Sequence, residues 1–194
     1  MALHEQSVGA TDEWYTPPRV FEAMGVRFDV DVAHPESATH VPAERVLTQA
    51  DCGLCAPWSG FVWMNPPFGA RNGLVPWLER FFAHGNGVAL VPDRTSAPWW
   101  HDYAAKADAL LFVRSKLRFI RPDGSEGRSP AQGTTLLAAG ERGVQALRNA
   151  AAAGLGLLLA QWPMGARDMG SRVPAQVDRE NSRDAKPNPE GGER

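Results

Sequence analysis

Only two of the 194 residues are cysteine. That is too few for the disulfide framework that holds small secreted domains together, and Cys52 and Cys55 read as ordinary thiols of a reducing compartment. No run of 18 apolar residues occurs, which excludes a bilayer-spanning helix. The opening MALHEQSVGATDEW has neither a basic n-region nor an apolar h-region, so no signal peptide is expected and a cytoplasmic location is. Charge of one sign is also missing. Twenty Lys and Arg stand against 22 Asp and Glu, for a formal net charge of −2. This argues against a protein held on nucleic acid by bulk charge, which needs many cations on phosphates, and leaves room only for a local basic strip. Tyrosine is scarce, two residues against seven Trp, whereas 16 Pro and 19 Gly give rigid turns in plenty.

The length and 43% hydrophobic content suit one globular domain, and no internal repeat is visible. Residues 1–11 are small and polar and read as a flexible N-terminus. Residues 165–194 are rich in Arg, Asp, Glu, Asn, Pro and Gly and read as a disordered tail. Residues 12–164 remain as the domain.

Within it, Thr16 suits an N-cap, Pro17 a first helical position and Gly25 a helix stop. Residues 27–33 alternate with period two and predict a strand whose carboxyl end carries acids. Residues 61–64 and 88–91 are apolar runs stopped by prolines, as buried strands are. The helical spacing of 74–83 between them predicts a parallel pair joined by a right-handed crossover. Helices over 97–107 and 141–153 and strands over 109–113, 134–139 and 155–160 complete an α/β chain, expected to form an open, mainly parallel sheet with helices on both faces.

Ligands of such sheets bind beyond the carboxyl ends of the strands. There the sequence places Asp29, Asp31 and His34-Pro35, then Asn65-Pro66-Pro67-Phe68, then Pro92-Asp93-Arg94-Thr95. Two successive prolines fix an extended turn that presents an amide, a backbone carbonyl and an aromatic face together. The Asn65 oxygen and the Pro66 carbonyl suit the two N–H groups of an exocyclic amine, and Phe68 suits stacking on its base. A stiff loop closing a strand is the alternative for the tetrapeptide alone.

The series Asp12-Glu13-Trp14-Tyr15-Thr16-Pro17, Phe28-Asp29-Val30-Asp31-Val32-Ala33, Trp58-Ser59-Gly60, Asn65-Pro66-Pro67-Phe68-Gly69 and Leu90-Val91-Pro92-Asp93-Arg94-Thr95, with Trp99-Trp100-His101, resembles the phage-type DNA N6-adenine methyltransferases. It runs over about residues 12–140, with looser matches at 116–119 and 129–130. The resemblance implies a Rossmann-like methyltransferase that uses S-adenosylmethionine to methylate adenine N6 in double-stranded DNA. It further implies a phage or prophage enzyme that marks DNA, with protection from restriction as its role. Asn65, Pro66, Pro67 and Phe68 would form the catalytic turn. Trp14, Thr16 and Pro17 would close over the cofactor, Asp31 would lie near its methionine or ribose part, and Asp51 near its adenine. The Gly-rich turn common after the first strand in methyltransferases is replaced by Ala33-His34-Pro35. Phe68 stands for the commoner Tyr, and Asn65 for Asp.

The other clusters have plain alternatives. Cys52 and Cys55, with His34 and His40 upstream, lack the second close pair of a zinc site, and no metal is expected. Arg114, Lys116, Arg118, Arg121 and Arg128 form either a solvated face or, given a DNA substrate, a phosphate strip with Arg94. Trp58, Trp63 and Trp77 read as core, Trp99, Trp100 and His101 as core packing or as a contact to the target base or DNA, and Asp29 as structural. No obligate protein partner is evident. The same turn would serve an RNA base or a protein Gln side chain, and a catalytically inactive DNA-binding relative is the remaining alternative.

Overall fold

The computed structural model describes residues 15–37, 40–68 and 73–160. The expectations for 1–11, 165–194 and Trp14 fall outside the described residues. The elements run α1 (Pro18–Met24), β1 (Phe28–Asp31), β2 (Ala43–Val46), a 3₁₀ turn (Gln49–Asp51), β3 (Val62–Met64), α2 (Val75–His84), β4 (Gly87–Pro92), α3 (Pro98–Ala104), β5 (Ala109–Val113), β6 (Thr134–Ala139), α4 (Gly140–Ala152) and β7 (Gly156–Ala160).

Seven strands form one sheet in the order β2-β1-β3-β4-β6-β5-β7. β2, β1, β3 and β4 pair in parallel. β6 enters antiparallel between β4 and β5, and β7 pairs antiparallel with β5. The parallel part is the expected strand-helix-strand core. The reversal of β6 follows from its link to β5, which stays on one end of the sheet and needs no crossover helix.

Helices cover both faces. Phe21 and Met24 of α1 and Leu147 and Ala150 of α4 pack on Phe28, Trp63 and Leu90. Leu78 and Phe81 of α2 and Trp100 and Tyr103 of α3 pack on Val62, Met64 and Val91. Both layers cover the sheet centre, so that β3, β4 and β6 are buried at every position and are apolar apart from Thr134 and Thr135 of β6.

Trp63 and Trp100 are core, as expected. Trp58 and Trp77 stack at its margin, 6.5 Å between ring centres, with the Arg80 guanidinium 4.9 Å above Trp58. Arg80 also donates to the carbonyls of Leu54 and Ala56, and Trp58 Nε1 to the Gly53 carbonyl at 2.7 Å.

These bonds clamp a loop in which Cys52 and Cys55 are joined as a disulfide, correcting the reading of two free thiols. The physical reason is a tight turn. Cys52 takes a left-handed φ of 54°, and the Cys55 amide donates to its carbonyl at 2.7 Å. Their Cα atoms stand 5.2 Å apart, within disulfide range.

Three further departures concern local signals. β2 was not expected, because Ala43-Glu44-Arg45-Val46 is a largely exposed edge strand with no apolar period. Thr16 does not cap α1; the N-cap is Pro17, with no side-chain cap bond. And in β1 the amides of Asp29 and Val30 both donate to the Phe61 carbonyl, at 2.7 and 3.4 Å. This bulge resets the side-chain alternation, so that Asp31, the register partner of Trp63, comes to the α1 and α4 face.

Candidate active site

The carboxyl ends of β1 and β3 are neighbours, and each delivers a polar side chain to one place. Asp31 is 2% exposed. Its Oδ1 accepts the Ala33 amide at 3.2 Å, and its Oδ2 is 2.7 Å from His34 Nδ1. The His34 amide donates to the Leu47 carbonyl at 2.9 Å, and the Leu47 amide to the Asp31 carbonyl at 2.8 Å. The Ala33-His34-Pro35 turn is therefore held by Asp31 on one side and by the end of β2 on the other. Burial raises the Asp31 pKa above the ordinary carboxylate value, and the hydrogen bond and charge of His34 oppose that rise. His34 is a site residue the sequence reading left without a role, although its i+3 spacing from Asp31 across a turn is the signal.

Asn65 follows β3. Its Nδ2 donates to Thr16 Oγ1 at 3.2 Å, and its Oδ1 takes no bond from the described residues. Pro66 is buried and Pro67 exposed. Phe68 is half-buried and touches the core of both layers, so its ring sits at the edge where the layers meet.

The residue before Thr16 anchors the segment. The Tyr15 amide donates to the Ile120 carbonyl and the Ile120 amide to the Tyr15 carbonyl, both at 2.9 Å. Thr16 is 3% exposed. Of the residues expected at the cofactor, Thr16, Pro17 and Asp31 thus come to this edge. Asp51 lies in the 3₁₀ turn after β2, where its Oδ2 accepts the Thr48 amide at 2.9 Å and hydroxyl at 3.0 Å. Those bonds hold its pKa below the ordinary value. Asp29, three residues before Val32, belongs elsewhere. It accepts the Phe61 amide at 2.5 Å and pairs with Arg142 at 3.3 Å. Gly60 beside it has φ 68°, and a Cβ there would meet the Asp29 carboxylate at 2.2 Å, which explains the glycine of Trp58-Ser59-Gly60.

Ile120 belongs to a hairpin-like excursion between β5 and β6. The Arg121 amide donates to the Ser125 carbonyl, the Gly124 amide to the Arg121 carbonyl and the Gly127 amide to the Phe119 carbonyl, with Gly124 at φ 81°. Leu117 and Phe119 point into the core, whereas Lys116 and Arg118 are exposed. The cations brace the excursion from outside. Arg118 meets Glu126 at 3.2 Å, Arg121 meets Ser125 Oγ at 3.3 Å, Lys116 meets the Ala131 carbonyl at 2.8 Å and Arg94 meets Gln132 at 3.1 Å. Among the described residues no cluster of three or more His, Cys, Asp or Glu side chains could hold a metal ion, and no helix is long and apolar enough to cross a membrane.

The family model described as DNA N-6-adenine-methyltransferase (Dam) matches residues 5–141. No curated protein and no solved structure matches the chain. The matched span covers β1 through β6 and every residue of the site just described, and the mixed sheet with its parallel core is the Rossmann-like arrangement of S-adenosylmethionine-dependent methyltransferases. The chain belongs to the DNA N-6-adenine-methyltransferase (Dam) family, whose reaction is the S-adenosylmethionine-dependent methylation of adenine N6 in DNA.

Proposed function

We propose that Asn65, Pro66, Pro67 and Phe68 are the catalytic turn of this reaction, that Trp14, Thr16, Pro17, Asp31 and Asp51 surround the cofactor, and that Arg94, Lys116, Arg118 and Arg121 contact phosphates. The observation that carries the reading is the Asn65 amide, whose Nδ2 donates to Thr16 while its Oδ1 takes no bond from the described residues.

The residues at the carboxyl edge fit the cofactor. It bears a positive sulfonium, an ammonium and a ribose diol, and the edge offers acceptors: the Asp31 carboxylate at the end of β1 and the Asp51 carboxylate beyond β2. Each oxygen of a carboxylate has two lone-pair directions, so the bonds from Ala33, His34 and Thr48 leave acceptor capacity. When bound, the cofactor supplies an electrophilic methyl group.

The chain's own task is orientation and desolvation of the amine. Asn65 Oδ1 and the Pro66 carbonyl accept the two N–H bonds of adenine N6, which directs the nitrogen lone pair along the transfer line. The target nitrogen lies inside the duplex, so the substrate is double-stranded DNA with the base flipped out. Phe68 replaces part of the lost stacking, which is worth a few kcal/mol. The proton released from nitrogen leaves to water, without a dedicated base.

The catalytic unit is proposed to span residues 12–164, to work in the cytoplasm where DNA and cofactor are found, without an obligate protein partner, and to mark phage or prophage DNA against restriction. Short loops and the excursion over 114–133 between β5 and β6 are the surface for sequence readout, which favours a short or relaxed recognition site.

The test is incubation with labelled cofactor and unmethylated DNA, followed by nucleoside analysis. Wild type is expected to yield N6-methyladenine, and Asn65→Ala to lose at least about 10²-fold in rate, the scale for removing an aligned polar group from a reacting centre. Methylcytosine as product, or full activity of Asn65→Ala, would sink the reading.

A further inference from the structure

Two polar residues of this chain precede a pair of prolines: Thr16-Pro17-Pro18 and Asn65-Pro66-Pro67. Ser, Thr, Asn and Asp side chains ordinarily bond the backbone N–H two residues on, or cap a helix at its second or third amide. Proline has no N–H. The amide at i+2 is therefore missing for both residues, Pro18 for Thr16 and Pro67 for Asn65. Thr16 also makes no cap bond to α1. Both side chains are diverted from local backbone partners, and the structure joins them to each other across 49 residues of sequence.

An Asn amide has two ends of similar shape and opposite hydrogen-bonding sense. An amine substrate that donates N–H requires the oxygen end, and the flipped amide would set donor against donor. In the Thr16–Asn65 bond Nδ2 donates to Oγ1, an arrangement that turns the oxygen end, the productive one, away from Thr16. Thr16 itself is held in place: it is 3% exposed, its neighbour Tyr15 is bridged to Ile120 by two backbone bonds, and the proline after it confines its backbone to extended conformations. We propose that Thr16 is a positioning residue for the transfer step, its hydroxyl oxygen holding the Asn65 amide with Oδ1 toward the target amine. This rests on Asn65 being the residue that accepts the amine, and it goes beyond a place for Thr16 beside the cofactor.

Three variants and a control test it in single-turnover methylation of DNA, with cofactor affinity measured separately. Thr16→Val and Thr16→Ala both remove the acceptor, so that either one that folds carries the test. Each is expected to lower the transfer rate at saturating cofactor about tenfold, the effect of one hydrogen bond at a reacting group, a loss separate from any change in cofactor Kd. Thr16→Ser keeps the oxygen and is expected to transfer within twofold of wild type. A wild-type rate in the Val or Ala variant, with Asn65→Ala inactive, overturns the proposal. So does a loss confined to cofactor Kd with the transfer rate unchanged, which would leave Thr16 a cofactor contact and no positioning residue, or an equal loss of transfer rate in Thr16→Ser. If Asn65→Ala itself transfers at the wild-type rate, the catalytic reading of the turn has failed, and that pattern is distinct from a failure at Thr16 alone.

Discussion

At the carboxyl edge of β1 and β3, Thr16, Asp31 and Asn65 are buried or half-buried, and Asn65 bonds to a different element. Around Gly124, Lys116, Arg118 and Arg121 bond within their own excursion, and Arg118 and its partner Glu126 keep more than half of their side-chain surface in water. The two regions meet at the Tyr15–Ile120 bridge but differ in what a bond is worth. Removing one partner of a buried pair leaves the other unsatisfied, at about 1–3 kcal/mol. An exposed ion pair contributes about 0–1 kcal/mol, so the guanidinium of Arg118 can exchange Glu126 for a phosphate at little cost. Rigid polar groups suit chemistry that needs alignment, and weakly held cations suit a substrate that must be bound and released.

That contrast can be broken in several places. The largest effect is the loss of at least about 10²-fold expected for Asn65→Ala, followed by the tenfold loss at Thr16. Phe68→Ala comes next. Aromatic stacking on an unpaired base is worth about 1–3 kcal/mol, so kcat/KM for DNA is expected to fall about tenfold, with cofactor affinity unchanged; an unchanged kcat/KM would remove Phe68 from the base site. In the exposed region, Arg118→Ala combined with Arg121→Ala is expected to reduce the slope of log affinity against log salt by about 1 per contact, while stability changes by no more than about 0.5 kcal/mol. An unaltered slope would return these residues to a solvated face.

The smallest effect concerns pH and has opposite signs in the two regions. Burial raises the Asp31 pKa, so the folded state holds more protons than the unfolded one above the ordinary value of 3.8, and stability falls as pH rises through that interval. Bonds from the Ser125 hydroxyl and amide lower the Asp123 pKa, so its contribution is present above 3.8 and is lost as pH falls through the depressed value. Denaturant titrations across pH are expected to show Asp31→Asn gaining on wild type as pH rises from 3.8, and Asp123→Asn gaining as pH falls below it. Parallel curves for the two variants would erase the distinction.

Much of the element order was legible. β5 and β6 coincide with the expected strands, and α2, α4 and β7 shift by a residue at one end or both, because long apolar runs and helical spacing are local signals. The stiff turn at Asn65-Pro66-Pro67-Phe68 was legible for the same reason: consecutive prolines act on their own neighbours. β2 was not, since an exposed edge strand has no period and is defined by its pairing with β1. Thr16 as N-cap was a sound local expectation that lost to a tertiary partner, and such losses are expected at functional positions.

Sequence by itself determined the alternation of strand and helix, the rigid Asn65-Pro66-Pro67-Phe68 presentation and the order of motifs that marks the family, all properties of residues close along the chain. Tertiary structure alone decided that β6 runs antiparallel between β4 and β5, that a bulge in β1 turns Asp31 to the α1 and α4 face, that Cys52 and Cys55 are joined, and that Thr16 bonds the Asn65 amide. Each of these depends on a backbone bulge, a loop clamp or a side-chain bond whose partner the folded chain supplies, and no local pattern specifies where that partner will stand.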